Sequence, residues 1–308
     1  MKKRLLLILL ALTIPLAALP FPSFWQRCIS LPGLRLLHAI GSSLPFSLLE
    51  WGAISFVVWI LGRFLFSLYR CRLHRALAGL IRQIAALLLA LILCALWLWL
   101  PLYAHPIQVL PADNVAIAAC SLRLIDELNI AEPDFSSLPE DLPAKYAAFP
   151  FWMDGLNISG LYAFFTGEAL ISPDQPACAL PFTAVHESMH SLGFADEGSC
   201  NIAAWNQCMH LGSLYADSAR LWALRYCLGI LHSSDPAAAQ TCRQQMNPRT
   251  AALYREIGGD YRPPTPSGIL AAFAPQGASP TGNYEILAHW LAGQAPQCYN
   301  RAIPCERK

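Results

Sequence analysis

Apolar and polar positions divide this chain into an N-terminal part dominated by long hydrophobic runs and a longer part with shorter, periodic ones. The long runs are Leu5 to Phe21, Trp51 to Tyr69 and Ile84 to Tyr103. Each approaches the roughly 20 residues that a helix needs to cross a bilayer core. The first follows Lys2, Lys3 and Arg4, so a secretory signal peptide competes with a permanent helix there. Its Ala17-Ala18-Leu19-Pro20 exit is a poor cleavage site, and a retained anchor is expected. In the second run Arg63 lies near the end, where its side chain can snorkel to the interface. The third closes on Trp97, Trp99 and Tyr103, an aromatic belt at one head-group layer.

Beyond residue 105 the spacing predicts a helix over Val115 to Leu128, then a Pro-rich loop from Pro133 to Pro150. Leu156 to Ile171 carries Gly155, Gly160 and Gly167 among aromatic and β-branched residues and reads as strand or extended chain. Thr183 to Leu192 is a helix with Pro181 and Thr183 as start signals and Gly193 as its stop. Another helix begins near Asp196 or Glu197 and runs, broken at Gly212, to about Leu231. Pro263 to Pro280 is Pro- and Gly-rich, and Tyr284 to Leu291 is a last short helix. The expected fold class is mainly α, with three N-terminal transmembrane helices in residues 1–104 and a mostly helical domain with a small extended or β element in residues 105–308.

Composition supports lipid as one environment, because 55% of the 308 residues are hydrophobic and only 13% charged. A net charge of +1 gives no reason to expect nucleic acid or a strongly acidic partner. The placement of charge says more. Lys2, Lys3 and Arg4 precede the first run, and Arg70, Arg72, Arg75 and Arg82 lie between the second and third, so both groups are expected on the cytoplasmic side. Residues 22–50 carry only Arg27 and Arg35 and read as the outer loop. Everything after Tyr103 then lies outside the cytosol.

That placement bears on the cysteines, eight of which (Cys120, Cys178, Cys200, Cys208, Cys227, Cys242, Cys298 and Cys305) follow residue 105. An even count in an oxidising compartment favours disulfides. Cys227 with Cys242, and Cys298 with Cys305, are the short-loop expectations. No C-x-x-C pair occurs, which disfavours a cysteine-rich metal cluster.

The chemistry concentrates at His186-Glu187-Ser188-Met189-His190. On a helix, H-E-x-x-H puts two imidazoles one turn apart on one face, where both reach one metal ion. Glu187 then lies beside the attacking water and serves as general base without being a ligand. Composition alone predicts on the order of 0.01 such patterns in this chain, so chance explains it poorly. A catalytic zinc takes a third protein ligand and leaves a fourth position open. Two carboxylates follow Gly193: Asp196 sits where related patterns place a third ligand, and Glu197 is the alternative, with Asn201 one turn further on to orient it. Geometry alone does not separate the two. Tyr215, Tyr254, Tyr261, Tyr284 and His289 are nominal donors to a transition-state oxyanion, and Glu168 a nominal substrate-edge residue.

Gly160-Leu161-Tyr162, Thr166-Gly167-Glu168-Ala169, Leu180-Pro181-Phe182-Thr183, His186 to His190, Gly193-Phe194-Ala195 and Glu197 to Asn201 together resemble a bacterial family of three-span membrane proteins of unknown function. Its members carry an H-E-x-x-H-x-x-G-F-x-x-E signature. The resemblance implies a gluzincin-like site with Glu197 as third ligand, a zincin-like extracytoplasmic domain and Zn2+ as cofactor. It also implies a multi-pass protein of the bacterial cytoplasmic membrane. Ser199 and Cys200 depart from the pattern, standing where an acidic residue and an alanine are expected.

The leading functional expectation is a membrane-anchored zinc metallopeptidase acting on a peptide or protein at the outer face, with His186, His190 and Glu197 on the metal and Glu187 as base. The alternative is a non-catalytic, zinc-stabilised receptor or scaffold. A membrane assembly factor with a degenerate, metal-free site is a third reading and the least supported, since every ligand and the base are present.

Overall fold

A computed structural model describes residues 22–70, 73–104, 107–156, 158–258 and 285–294. In chain order the helices are α1 (Leu31–Ser43), α2 (Leu48–Tyr69), α3 (Leu73–Cys94), α4 (Asn114–Ala131), α5 (Phe151–Gly155), α6 (Leu180–Ser191), α7 (Glu197–Leu211), α8 (Ser213–Ser234), α9 (Pro236–Arg243), α10 (Pro248–Glu256) and α11 (285–294). Three short strands, β1 (Lys145–Tyr146), β2 (Gly160–Ala163) and β3 (Glu168–Ile171), make one mixed sheet. The order is β1-β3-β2, with β1 parallel and β2 antiparallel to the central strand. The protein is thus mostly helical with a small sheet, as the pattern predicted.

Two helices, rather than three, are long and apolar enough to cross a membrane among the described residues: Leu48–Tyr69, and Leu73–Tyr103, where α3 continues through a π-helical and a 3-10 segment. The predicted first span, Leu5 to Phe21, lies outside the described residues. The other helix starts well before the expected Ile84, so Arg75 and Arg82 are helical rather than part of a connecting loop.

Contacts divide the chain into two compact units, one of residues 1–105, 143–174 and 190–195, the other of residues 106–142, 175–189 and 196–308. In the first, residues 22–50, the stretch between two hydrophobic runs, are largely helical. A short turn, Pro22–Trp25, and a π-helical stretch, Gln26–Ser30, lead into α1. Trp25 Nε1 and Ser30 Oγ both donate to the carbonyl of Trp97, in the π-helical segment after α3, at 3.1 and 2.9 Å. A π turn displaces carbonyls from the α-helical ladder, and these side chains satisfy one. Leu34, Leu102, Tyr162, Ala169 and Ala195 form the apolar centre of this unit. Gly41 permits the approach of α1 to the β2–β3 turn, since a Cβ there would stand 2.7 Å from the Thr166 carbonyl.

The N-terminus of α2 is held by carboxylates. Buried Glu168 on the central strand accepts from the Leu48 and Leu49 N–H groups, both at 2.8 Å, and pairs with Lys145 Nζ at 3.2 Å. Lys145 also donates to the carbonyls of Gly41 and Phe46. Glu50, itself buried, accepts from Ala148 N, Phe149 N and Trp152 Nε1. Glu168 is therefore no substrate-edge residue: its strand has neighbours on both sides and its carboxylate is spent on a helix start.

The second unit is built on α4 and α8, which bury Ile117, Leu124 and Leu128 against a row containing Leu221, Leu224, Leu228 and Leu231. Asp113 caps α4 by accepting from Ala116 N at 2.8 Å, and Gly212, at φ 121°, makes the predicted break between α7 and α8. The segments after α8, unassigned by the pattern, form α9 and α10, capped by Asp235 and Asn247. The expected Cys227–Cys242 disulfide is absent. Both are free thiols, Cys242 facing the Ala118 carbonyl and Cys227 hydrogen-bonding the Cys120 thiol on the neighbouring helix. Cys298 and Cys305 lie outside the described residues.

Candidate metal centre on helix α6

Helix α6 carries His186, Glu187 and His190, and it is buried on nearly every side from Leu180 to Ser191. Its start is fixed by Ser218 on α8, whose hydroxyl accepts from Phe182 N–H at 3.1 Å and donates to the Cys178 carbonyl at 2.6 Å. Thr183 adds a hydroxyl bond back to the Ala179 carbonyl at 3.0 Å. Its end is the predicted stop: Gly193 adopts φ +101°, and a Cβ there would strike the Leu31 side chain at 2.3 Å. His186, Glu187 and His190 are only 8, 7 and 5% exposed. Three ionisable side chains in a buried helix are costly unless each is engaged, which sets this stretch apart from an ordinary packing helix.

His186 Nε2 lies 3.0 Å from Glu197 Oε2. Burial pulls the imidazole towards its neutral form, but Cys200 and Glu197 oppose this and the net shift is upward. Burial in turn pushes the Cys200 thiol up to about 11, so it is neutral near pH 7. His190 is oriented differently. Its Nδ1 lies 2.6 Å from the Phe194 carbonyl, an acceptor, so Nδ1 is the protonated nitrogen and Nε2 keeps its lone pair. Its ring packs against Trp99 and Tyr162, with centroids 5.7 and 6.2 Å apart.

The two carboxylates that the motif left open have different occupations. Asp196 is the N-cap of α7, its Oδ1 accepting from Ser199 N at 2.8 Å. Glu197, the first residue of that helix, is the one against His186. The residues that depart from the family pattern are also used. Ser199 Oγ accepts from Ile107 N–H at 2.8 Å, and Cys200 Sγ approaches the His186 carbonyl at 3.1 Å.

An imidazole and a carboxylate are donors of the kinds that zinc takes. Two ligands of a tetrahedral ion with bonds of about 2.0–2.1 Å stand roughly 3.3 Å apart, close to the His186–Glu197 separation. The bond from His190 to a backbone carbonyl is the outer-sphere contact that metal-bound imidazoles make. Asn201, one turn after Glu197 on α7, is buried with neither side-chain amide atom hydrogen-bonded.

Of the oxyanion candidates, Tyr261 and Tyr284 lie outside the described residues. Tyr254 is buried, and His289 Nδ1 accepts from Ala112 N–H at 3.1 Å. Tyr162, stacked on His190 with its hydroxyl buried and lacking a hydrogen-bond partner, was not among them. The resemblance includes Gly160-Leu161-Tyr162, but nothing in the local sequence of β2 pairs Tyr162 with His190, because the contact joins residues far apart in the chain.

The chain belongs to the family described as Protein of unknown function (DUF3810), which matches residues 107–262. The match contains the sheet, α6 and its motif, Glu197 and the helices through α10. No curated protein and no solved structure matches the chain significantly.

Proposed function

We propose that this protein is a membrane-anchored zinc-dependent hydrolase, of peptidase type, that cleaves an amide bond on the outer side of the membrane. The observation that carries the reading is the close approach of Glu197 Oε2 to His186 Nε2 while the adjacent Asp196 is committed to capping α7. His186, His190 and Glu197 would hold the ion, His190 through the nitrogen that its bond to Phe194 leaves free. When bound, zinc lowers the pKa of a coordinated water towards neutrality and polarises a scissile carbonyl. Glu187 follows His186 round the helix by about 100° and is not needed as a ligand. It takes the proton of the attacking water and returns it to the departing amine. Burial of the helix excludes bulk water and strengthens each of these interactions.

Metal analysis of the purified chain should find about one zinc per molecule, and Glu187→Gln should retain it while turnover of a peptide library falls by about 100-fold or more. A metal-free wild-type protein after purification without chelators defeats the proposal. Zinc that raises the melting temperature in both wild type and Glu187→Gln, with no peptide cleaved by either, instead supports the non-catalytic scaffold.

A further inference from the structure

Far along the chain from the H-E-x-x-H helix, the two apolar helices α2 and α3 flank a partly open cavity of about 210 Å³. Arg63 and Ser67 line it from α2, and Arg75, Arg82 and Gln83 from α3. These positions recur at helical spacing, so each helix turns one polar row into the same cleft. Arg63 lies about 9 Å from the end of α2 and Arg82 about 13 Å from the start of α3, at 1.5 Å per residue. Those depths reach past a head-group layer into a hydrocarbon half-thickness of about 15 Å.

Two guanidiniums at such depth, with Arg75 nearer the helix start, need counter-charge, because cations within a membrane are costly unless paired or drawn to the interface. The chain supplies none locally: no Asp or Glu occurs between Glu50 and Asp113. Arg63 turns instead to the Trp59 ring, 5.5 Å from Cζ to centroid, which offers a cation a surface without neutralising it. Arginine is also the side chain whose forked donors match phosphate oxygens two at a time. Gly79 belongs to the same lining, and a Cβ there would meet nothing within 4 Å, so the space beside the guanidiniums is open.

We propose that this cleft binds the phosphate head group of an anionic phospholipid, with Arg63, Arg75 and Arg82 as its ligands and Ser67 and Gln83 as neutral donors. The acyl chains of such a lipid run along the exposed apolar faces of α2 and α3, where Val57, Leu61, Leu77 and Leu88 are bare. Membrane lipid, not soluble phosphate, is the occupant that the apolar surroundings favour. The site is separate from the zinc reading and stands without it.

The test uses the full chain in nanodiscs of phosphatidylcholine with an equimolar share of phosphatidylglycerol, followed by native mass spectrometry and thermal unfolding. Phosphatidylglycerol should be retained on the protein and raise its melting temperature, and Arg82→Gln and Arg75→Gln should each weaken retention by about tenfold. Gly79→Leu fills the cavity without removing a charge and should have the same effect, which guards against a variant that fails through lost charge alone. Arg70→Gln is the control, since Arg70 stacks on Phe66 outside the cavity. The proposal is overturned if Arg70→Gln weakens retention as much as Arg82→Gln, if phosphatidylcholine is retained equally, or if inorganic phosphate gives the whole stabilisation in lipid-free detergent.

Discussion

Asp196 and Glu197 are adjacent, equally charged and chemically almost alike, yet one side chain meets the start of its own helix and the other meets His186. Separate experiments follow from this division of labour. Asp196→Ala removes a cap and should cost about 1 kcal/mol in thermal or denaturant unfolding while leaving zinc content unchanged. Glu197→Ala should lower zinc affinity by about 100-fold or more in a chelator competition, beyond what loss of an outer partner costs. Equal metal loss in both variants would contradict the assignment. The distinction was partly legible beforehand, because Asp immediately before a helix is a cap signal in itself. Resemblance to a family pattern chose the same residue, but the reason for Asp196 is local backbone chemistry. Tyr162 had no such signal, since only the folding of the hairpin sets its ring on His190.

Periodicity gave the long elements well, and it failed where an element's role depends on partners distant in sequence. α4, α6, the α7–α8 break at Gly212 and the extended stretch before Ile171 all follow from local pattern. The pattern assigns no helical period to residues 22–50, between two hydrophobic runs, where Leu34 and Gly41 are buried positions of α1. Glu168 shows the same limit. An extended Thr-Gly-Glu stretch reads as a substrate-binding edge, but the Glu168 carboxylate is drawn inward by the Leu48 and Leu49 N–H groups at the start of α2 and by Lys145. Removing one member of a buried pair leaves the other uncompensated. Glu168→Ala should therefore cost about 3 kcal/mol or more in detergent-solubilised unfolding, with Lys145→Met in the same background recovering part of the loss. A Glu168→Ala variant of unchanged stability would place the helix start under other control.

For the molecule as a whole, the distance in sequence between α11 and the segment it meets makes its attachment a sensor of global unfolding. His289 on α11 accepts the Ala112 N–H through Nδ1, a bond available only to the neutral imidazole. Burial holds its pKa below the ordinary 6.5. The folded state therefore binds fewer protons than the unfolded chain in the window beneath 6.5, and stability there rises with pH. The contribution is complete above 6.5 and is lost as pH falls through the depressed folded value. Glu285, on the same helix, works the other way: burial raises its carboxyl pKa, so acidification relieves a cost. The two are separable by substitution. His289→Gln should flatten the fall in melting temperature between pH 6.5 and the onset of general carboxylate protonation near about pH 5, and Glu285→Gln should steepen it. Wild type and His289→Gln with the same slope would show that α11 is attached by its buried Leu287, Ala288 and Leu291 alone, with the imidazole bond contributing nothing to folding.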